Sequence, residues 1–296
     1  MKVGNKNIKV SFIIINYNTD ELTIQAVKSI ELYVKDISYE IIVIDNNSKE
    51  TKLRYELSTF ENTFFYQLDE NIGFGKANNF GYSKAKGEFI FLLNSDAFLI
   101  DENSIPILIE YLQKNENVAI VGGNLINENG QPNICHGRFL SIERMLYNYG
   151  LKKVTKEYFN EYLATASHCS FKNPTPVDHL TGAAIMIKRT VIEQLGLFNP
   201  KYFMYLEDMD LCYRYKKHGY ISVLIPQVKI VHFGGQSNLN NKELSKRIKK
   251  EIDYSRYLFL QNITSKPVAL SLFVMGKIIN FYKRVKRKLK TIFYAT

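Results

Sequence analysis

The chain has 296 residues, of which 46% are hydrophobic, so it can build one large domain with a substantial core. Its three cysteines lie far apart, which argues against a disulfide framework or a thiolate metal site and favours a reducing compartment. The polar, basic N-terminus does not predict a signal peptide, and no segment has the roughly 18 uninterrupted apolar residues of a membrane span. The net charge is +10, and seven Lys or Arg residues with no acid between Lys277 and Lys290 form a basic tail.

Strands and helices are predicted to alternate over the first hundred residues. Four segments are predicted to be strands, and the last of them, an apolar run without polar alternation, is typical of a strand buried on both faces. They are Lys9–Ile15, Tyr39–Ile44, Phe64–Leu68 and Phe89–Leu93. Helical spacing follows Asp20, the expected N-cap of the first helix, and continues again from Ala77 to Ala85. This alternation indicates parallel βαβ units and a doubly wound sheet.

Polar residues directly follow three of these strands, namely Asn16-Tyr17-Asn18, Asp45 and Asn94-Ser95-Asp96. Because the carboxyl ends of parallel strands share one edge of a sheet, we expect these residues to converge on one cleft. Asp96 would there hold a divalent cation against a phosphate, whereas in isolation it would be a turn residue. Gly73 and Gly75 precede a helix and would let backbone amides approach a ligand. With neither a dinucleotide fingerprint nor a Walker sequence present, the pattern predicts a metal-dependent nucleotide-diphosphate site.

The second half of the chain is less regular. Its predicted elements are a helix over Ile105–Leu112, a strand over Val118–Val121 that stops before Gly122-Gly123, a helix within Phe139–Tyr149 and a strand within His179–Ile187. Residues 124–177 show no clean period and are expected to form a variable wall over the cleft.

Three carboxylates, Glu207, Asp208 and Asp210, lie within four positions among aromatic residues. At the start of a helix they suit the helix dipole, and Asp210 lies about one turn from Arg214, as in a structural ion pair. Alternatively, partial burial poises one of these carboxylates as a general base. Local sequence leaves both interpretations open.

His232 follows two short predicted strands, Tyr220–Pro226 and Val228–Val231. A histidine in this place is either a satisfied structural residue or, beside a metal–phosphate site, a ligand. A long helix is then predicted from Leu244, and Pro267 ends it.

The segment that precedes the basic run, Val268–Tyr282, is amphipathic and aromatic. Apolar residues interleaved with the lysines and arginines favour a helix that lies on an anionic membrane. A solvated helix face or a tail for nucleic acid is the alternative. Because the interleaved apolar residues favour the membrane, no nucleic-acid partner is expected.

Seven segments occur in the order found in a known family. They are Ser11–Asn18, Ile42–Ser48, Asn71–Phe74 with Asn78-Asn79, Leu92–Asp96, Thr181–Ala183 with Ile185-Met186, Tyr205–Leu211 and His232–Ser237. From about Val10 to Ser237 the chain resembles the family 2 inverting glycosyltransferases with a GT-A fold, particularly the bacterial rhamnosyltransferase-like branch. The resemblance implies an α/β nucleotide-diphospho-sugar transferase fold, with a mostly parallel central sheet flanked by helices and a C-terminal helical extension.

The same resemblance implies how the donor is bound. Asp45 would bind the nucleotide base with Tyr17 packed near it, and Asp96 would ligate Mg²⁺ or Mn²⁺ that bridges the diphosphate. His232 would lie near the diphosphate as a second metal ligand. The implied donor-binding set is Asn16, Tyr17, Asn18, Asp45, Gly73, Asn78, Asn94, Ser95 and Asp96.

The resemblance also assigns the catalytic and acceptor residues. Asp208 would be the general base and Glu207 its supporting neighbour, and the implied acceptor-binding set is Gly182, Ala183 and Asp210. Two segments depart from the family pattern. Asn94-Ser95-Asp96 offers the metal one carboxylate where members commonly show Asn-Pro-Asp, and Leu197–Pro200 replaces the usual Gly-Phe-Asp-Glu on the acceptor side.

We therefore expect a cytoplasmic inverting glycosyltransferase, peripheral on the inner face of the plasma membrane and active in cell-surface polysaccharide synthesis. It would move a sugar such as rhamnose from a dTDP- or UDP-linked donor to a hydroxyl of a lipid-linked or polymeric glycan. Residues 1–240 would form the GT-A domain, with a nucleotide-binding half at about 8–123 and an acceptor half at about 124–240. Residues 241–296 would form the basic amphipathic helical extension that contacts anionic membrane.

Two other functions compete with this one. The first is a basic nucleic-acid-binding or membrane-docking module with a catalytically idle cleft. The second is a nucleotidyltransferase, which shares the sheet and the metal carboxylate. It should need a basic triphosphate-binding loop near the first strand, and Asn16–Asp20 supplies none.

Overall fold

The four strands predicted in the first hundred residues form one side of a single sheet. In the computed structural model, which describes residues 8–150, 171–234 and 242–293, they are β1 (Val10–Asn16), β2 (Tyr39–Asp45), β3 (Thr63–Gln67) and β4 (Phe89–Asn94). β1 lies between β2 and β4, β3 pairs outside β2, and all of these pairings are parallel. The residues of β1, β2 and β4 are almost entirely buried on both faces, which explains their continuous apolar runs.

Three helices connect these strands, α1 (Asp20–Tyr33), α2 (Leu53–Glu56) and α3 (Phe74–Lys84). The prediction that Asp20 caps α1 is wrong, because Thr19 holds the cap position and Asp20 is the first helical residue. The Asp20 carboxylate instead accepts hydrogen bonds from the Asn16 side chain (2.9 Å) and the Lys52 amide (2.9 Å). It thereby ties α1 to the end of β1 and to the loop that follows β2.

Seven further strands follow among the described residues. They are β5 (Ala97–Leu99), β6 (Val118–Ile126), β7 (His136–Gly137), β8 (Thr175–Val177), β9 (His179–Leu180), β10 (Ala184–Lys188) and β11 (Ile221–His232). Most of their pairings are antiparallel, but β6 and β11 pair in parallel. Among the described residues the large sheet runs β3-β2-β1-β4-β10-β6-β11-β5 with β8 beside β11, and β7 and β9 form a separate ribbon. β10 is antiparallel to β4, so its first residues lie at the carboxyl end of β4, where the cleft is expected.

The strand predicted over Val118–Val121 is too short. β6 continues through Gly122 and Gly123 to Ile126, paired with β11. β11 passes so close that a Cβ on Gly123 would lie 2.6 Å from a Val228 methyl carbon. Glycine here permits a close strand approach and does not end the strand.

The two short strands predicted before His232 are one strand, β11. Its pairing with β6 shifts register between Ile225 and Lys229, on either side of Pro226. Proline has no amide hydrogen for the ladder, so a β-bulge accommodates it and the strand continues. The sequence pattern shows the interruption but not that the chain rejoins the same sheet.

Six further helices complete the described fold. They are α4 (Ser104–Lys114), α5 (Ile142–Tyr149), α6 (Arg189–Leu195), α7 (Glu207–Lys217), α8 (Lys242–Ile263) and α9 (Lys266–Phe293). The helices predicted around Ile105–Leu112 and within Phe139–Tyr149 are confirmed, and the long C-terminal helix ends before Pro267 as expected. Within the described ranges, no helix combines the length and the apolar character that crossing a membrane requires.

The two C-terminal helices share a hydrophobic cluster with the second half of the sheet domain. Its buried members are Leu140, Met145, Met209, Phe259, Leu260, Ala269 and Leu272. Because α8 and α9 pack on Met209 of α7, cutting the chain after Pro267 would open this cluster. A boundary near residue 241 stays a prediction, because this packing makes the two helices part of a core shared with Leu140, Met145 and Met209.

Candidate active site

A buried hydrogen-bond network holds the carboxyl ends of β1 and β2 together. Asn16 donates from Nδ2 to Asp45 Oδ1 (2.7 Å), and Ser48 donates from its hydroxyl to the same oxygen (2.5 Å) and from its amide to Asp45 Oδ2 (3.1 Å). Asn16 Oδ1 accepts bonds from the hydroxyls of Thr19 (3.0 Å) and Thr23 (2.9 Å). Neither Asn16 nor Asp45 has exposed surface. The network fixes the edge of the sheet, and in this arrangement the Asp45 carboxylate has no surface that a base could contact.

Tyr17 and Asn18 form the accessible rim of this edge. Asn18 is exposed and has a φ of +56°, its amide donates to Ser48 Oγ (2.8 Å), and its side-chain oxygen accepts from the Lys49 amide (2.9 Å). Tyr17 is half-buried beside it. At this end of the cleft, these two side chains are the members of the predicted donor-binding set that a ligand can reach.

Gly73 and Gly75 allow two loops to close on each other. Gly73 has a φ of +87°, and a Cβ there would overlap the Phe203 carbonyl oxygen. A Cβ on Gly75 would lie 3.2 Å from Phe198 Cβ. The Phe203 carbonyl accepts a hydrogen bond from the Phe74 amide (2.9 Å), in the first turn of α3. These glycines therefore permit a close approach to residues 198–203 and not to a ligand. The Phe203 carbonyl also occupies the Phe74 amide, one of the donors at the N-terminus of α3 that were expected to face a phosphate.

Two asparagines of α3 form hydrogen bonds beside this contact, and only Asn79 bonds across it. Asn78 is buried and donates to the Phe74 carbonyl (3.0 Å), which gives it a structural bond inside α3. Asn79 exchanges two hydrogen bonds with the Phe198 backbone, at 2.8 and 2.9 Å. The segment between α6 and α7 is thus anchored to α3.

Replacing Gly73 with alanine is expected to destabilise the fold more than replacing Gly130 does. Both glycines have positive φ, but the space around Gly130 is open, so only the backbone cost of about 1–2 kcal/mol applies there. Overlap with Phe203 should add about 1–3 kcal/mol at Gly73. Urea denaturation of both variants measures the difference, and equal losses would contradict the close packing.

Asp96 and His232 converge at the end of β4. His232 Nε2 lies 3.3 Å from Asp96 Oδ1 and 3.5 Å from Asn94 Nδ2. The pairing of β5 with β11 sets His232 opposite Ala97, which explains how residues so distant in sequence meet. Within the described part of the chain, the buried atoms Asn94 Oδ1 and His232 Nδ1 have no hydrogen-bond partner.

These groups fit a divalent cation that shares its coordination with a diphosphate. Asp96 offers a carboxylate, His232 an imidazole nitrogen, and Asn94 a buried amide oxygen without a partner. In the described ranges no three His, Cys, Asp or Glu side chains form a complete metal site, so phosphate and water oxygens would supply the remaining ligands. The Ser95 hydroxyl lies 2.9 Å from the Thr19 hydroxyl, and this hydrogen bond stabilises the turn between β4 and β5.

The Glu207–Asp208 pair begins α7 after two strained residues. Tyr205 and Leu206 have φ values of +68° and +64°, a region that non-glycine residues adopt rarely and that concentrates at functional sites. Asp208 is partly exposed, and its Oδ1 accepts a bond from the Met209 amide (2.7 Å). Glu207 is buried, and its Oε2 has no partner among the described residues. Burial, and next the charge of Asp208, raises the pKa of Glu207 to about 8.

The raised pKa of Glu207 predicts a pH-dependent stability. Its ordinary value is 4.5, so the stabilisation by the protonated form is complete below that pH and is lost as the pH rises through about 8. We expect the free energy of unfolding to fall more steeply between about pH 5 and about pH 8 in the wild type than in Glu207→Gln. Urea denaturation across this range tests it, and parallel curves would show that Glu207 titrates normally.

The turn before β10 connects the two groups of polar residues. The Gly182 amide donates to Asp208 Oδ2 (3.0 Å), and the carbonyl of the next residue, Ala183, accepts from the Asn94 amide (2.8 Å). The carboxylate pair of α7 and the Asp96–His232 pair are therefore linked through this one turn. Ala183 is buried as a whole residue and its carbonyl is paired with the Asn94 amide, so in this arrangement it presents almost no surface to an acceptor.

Asp210, predicted for the acceptor site, is a buried structural residue. It has no exposed surface, and its carboxylate accepts bonds from Tyr202 (3.2 Å), Asn262 (2.7 Å) and Arg214 Nε (2.8 Å). The ion-pair interpretation of Asp210 and Arg214 is confirmed. An acceptor sugar cannot reach this carboxylate, so we remove it from the acceptor-binding set.

Some important residues were not predicted to act at the site. Ser48 follows Asp45 in a segment already noted, and its small hydroxyl at a strand end was the available signal. Asn262, which binds Asp210 from α8, carries no sequence signal because it is one polar residue in a long helix. Gly235, Gln236 and Ser237 of the last resemblance segment lie outside the described residues.

The sheet, with the metal-suited pair at the end of β4 and the carboxylate pair linked to it, matches the arrangement expected for a glycosyltransferase of the GT-A fold. Residues 11–196 match the model of the family described as Glycosyl transferase family 2, which is more than half of the chain. The chain belongs to this family, in which the inverting mechanism is general. The predicted family and fold class are confirmed.

Two relatives named for glycosyl transfer match most of this chain. The chain is 25% identical over 301 residues to the low-salt glycan biosynthesis hexosyltransferase Agl10 of Haloferax volcanii, covering 97% of this chain and 89% of the relative. It is 25% identical over 237 residues to the dTDP-rhamnosyl transferase RfbF of Shigella flexneri, covering 79% and 72%. A similar fold occurs in the mannosyltransferase PcManGT from Pyrobaculum calidifontis in complex with GDP-Man and Mn²⁺. That structure has a TM-score of 0.57 at 16% identity, and the match covers 92% of this chain and 74% of the other.

Proposed function

We propose that this protein transfers a hexosyl or deoxyhexosyl group, such as rhamnose, from a nucleotide-diphosphate donor to a hydroxyl of a growing glycan, with inversion. One observation supports it above the others: Gly182 and Ala183 hydrogen-bond to Asp208 on one side and to Asn94 on the other. A carboxylate that can accept a proton and a cation-suited pair therefore flank the same turn. An inverting displacement needs these two groups on one cleft.

Asp96 and His232 would hold a divalent cation, with the Asn94 amide oxygen beside them. Mg²⁺ and Mn²⁺ both suit an oxygen-rich site of this kind. When bound, the cation neutralises the charge that develops on the departing diphosphate. The residues of this chain set where the diphosphate lies, because Ser95 and Thr19 brace the turn that carries Asp96.

Asp208 would take the proton from the attacking acceptor hydroxyl. Two backbone amides, of Gly182 and Met209, hold its carboxylate at 3.0 and 2.7 Å and fix its direction. Glu207 behind it retains a proton at neutral pH and so does not compete as a base. Tyr17 and Asn18 on the opposite rim would contact the nucleotide, and Asp45 would contact the base once Ser48 has shifted.

The donor and acceptor are proposed from the relatives. RfbF is a dTDP-rhamnosyl transferase, and Agl10 is a hexosyltransferase of glycan biosynthesis, so a dTDP- or UDP-linked sugar and a glycan acceptor fit best. A lipid-linked acceptor would place the enzyme at the inner face of the plasma membrane. The basic amphipathic tail supports that location.

A thermal-shift screen of nucleotide-sugars, each with and without Mn²⁺, tests the proposal. We expect one donor to raise the melting temperature only when the metal is present, since the diphosphate completes the coordination of the cation. A response to dTDP-rhamnose alone would identify the sugar. If no nucleotide-sugar shifts the melting temperature and salt-sensitive nucleic-acid binding is found instead, the idle-cleft alternative is correct.

A further inference from the structure

We propose that α9 docks this enzyme on an anionic lipid bilayer through an apolar stripe that faces away from the protein. This docking stripe consists of Leu270, Val274, Ile278 and Phe281, which are between 46% and 70% exposed. Their spacing of four, four and three positions places them on one face of the helix. An apolar face of this length is unusual on a protein surface unless it contacts a partner.

The opposite face of α9 is fixed to the rest of the molecule. Ala269 and Leu272 are buried in the cluster shared with α8, and Gly276 admits the Tyr149 ring against the helix backbone. The Tyr149 hydroxyl donates to the Leu272 carbonyl (3.0 Å). Because this inner face is held by packing, the helix cannot turn to bury the docking stripe against its own protein.

The charge around the stripe identifies the partner as an anionic bilayer. The sequence contains no Asp or Glu after Asp253, and Lys283 and Lys286 are exposed beside the end of the stripe. Lysine and arginine side chains near an anionic membrane surface are attracted to it. A second copy of this chain would bring a like-charged face, so self-association is disfavoured. The inference rests on the proposed function only in that a lipid-linked acceptor lies at such a surface.

Sedimentation of the full chain with phosphatidylcholine vesicles, with and without phosphatidylglycerol, tests the docking stripe. The test variant is Ile278→Glu with Phe281→Glu. Its matched control is Leu32→Glu with Tyr55→Glu, which places the same charges on exposed apolar positions of α1 and α2. We expect salt-sensitive binding to the anionic vesicles, a loss of at least about ten-fold in the test variant and no change in the control.

Three outcomes would overturn docking. They are no wild-type binding to anionic vesicles at low salt, equal binding by the test variant, and a dimer that the two glutamates disrupt without any vesicle binding. The donor thermal shift is measured separately on the same variants. A chain that binds vesicles but no nucleotide-sugar would refute the proposed function and leave docking intact.

From a separate set of contacts we infer that Asn262 is a positioning residue for the catalytic helix α7. Its Nδ2 donates to Asp210 Oδ1 (2.7 Å), one turn beyond Glu207, and its backbone carbonyl accepts from Lys217 Nζ (3.0 Å) at the far end of the helix. Ser255, two turns earlier in α8, donates to the Met204 carbonyl (3.2 Å) just before the strained residues. α8 therefore holds both α7 and the segment that leads into it.

Steady-state kinetics of Asn262→Ala, normalised to the folded protein, test this inference. We expect kcat to fall by about ten-fold while the KM for the donor changes by less than about two-fold, because the donor contacts lie on the β1, β2 and β4 edge. Gln261→Ala, the neighbouring polar position, is the control, and Asn262→Ser should recover part of kcat because it restores a hydrogen-bond donor. A loss of stability with unchanged kcat, or a parallel rise in KM, would show a purely structural role.

Discussion

Asp208→Asn is expected to lower the turnover number by about a hundred- to ten-thousand-fold, the usual contribution of a general base, while donor affinity stays unchanged. The amide can still accept a hydrogen bond from Gly182 or Met209, so the turn and the start of α7 should keep their positions. What disappears is the group that takes the acceptor proton. Transfer is measured with a saturating donor, and donor binding is measured by thermal shift with Mn²⁺.

Asp178→Asn is the matched control for this substitution. Asp178 lies before β9 and pairs with Lys216 of α7 (2.9 Å), in a partly exposed bridge that contributes at most about 1 kcal/mol. Its removal should leave turnover within about two-fold. Near-normal transfer by Asp208→Asn would falsify the assigned role and direct attention to another carboxylate. Glu207→Gln separates the two acids, because a buried protonated neighbour should tolerate the change to an amide better than the base does.

Asp96→Asn is expected to abolish the response to metal. The stabilisation that a cation gives to a departing diphosphate is worth several kcal/mol, so turnover should fall by at least about a hundred-fold. Chelating the metal from the wild type should cause a similar loss. Chelation should then lower the turnover of Asp96→Asn little further, because the substitution and the chelator remove the same interaction.

His232→Asn provides the comparison for the metal site. With Asp96 still present, metal should bind more weakly, so activity should recover at a higher Mn²⁺ concentration. Titration of Mn²⁺ against the thermal shift and against turnover measures both effects. Independent, additive losses from Asp96→Asn and from chelation would show that Asp96 acts without a cation.

Much of the fold follows from local patterns in the chain. β1, β2 and β4 were predicted closely because a strand buried on both faces needs a continuous apolar run. The prediction was poorer where a glycine or proline has a tertiary role, as at Gly123, which admits β11, and Pro226, which a bulge accommodates. Judged from local sequence, glycine and proline end a strand. In the folded protein, pairing with neighbouring strands decides whether the strand continues.

The carboxylates of α7 also show how tertiary contacts distinguish residues that local sequence does not. The sequence does not distinguish Glu207, Asp208 and Asp210, and helical periodicity alone cannot show which of them is the general base. Packing separates them: Glu207 is buried without a partner, Asp208 is partly exposed beside Gly182, and Asp210 is enclosed by three donors. Burial and hydrogen bonding depend on α8 and on the β10 turn, which are remote in sequence.

By itself the sequence determined the family, the βαβ core and the candidate set that includes Asp96, Asp208 and His232, because ordered motifs and apolar runs are local properties. Only the tertiary structure decided which of these residues meet. The antiparallel entry of β10 brings Gly182 to the end of β4, and the pairing of β5 with β11 brings His232 to Asp96. The same packing turns Gly73 towards Phe203 and makes Asp210 a structural residue. Contacts between distant segments create these roles, so no local pattern could have specified them.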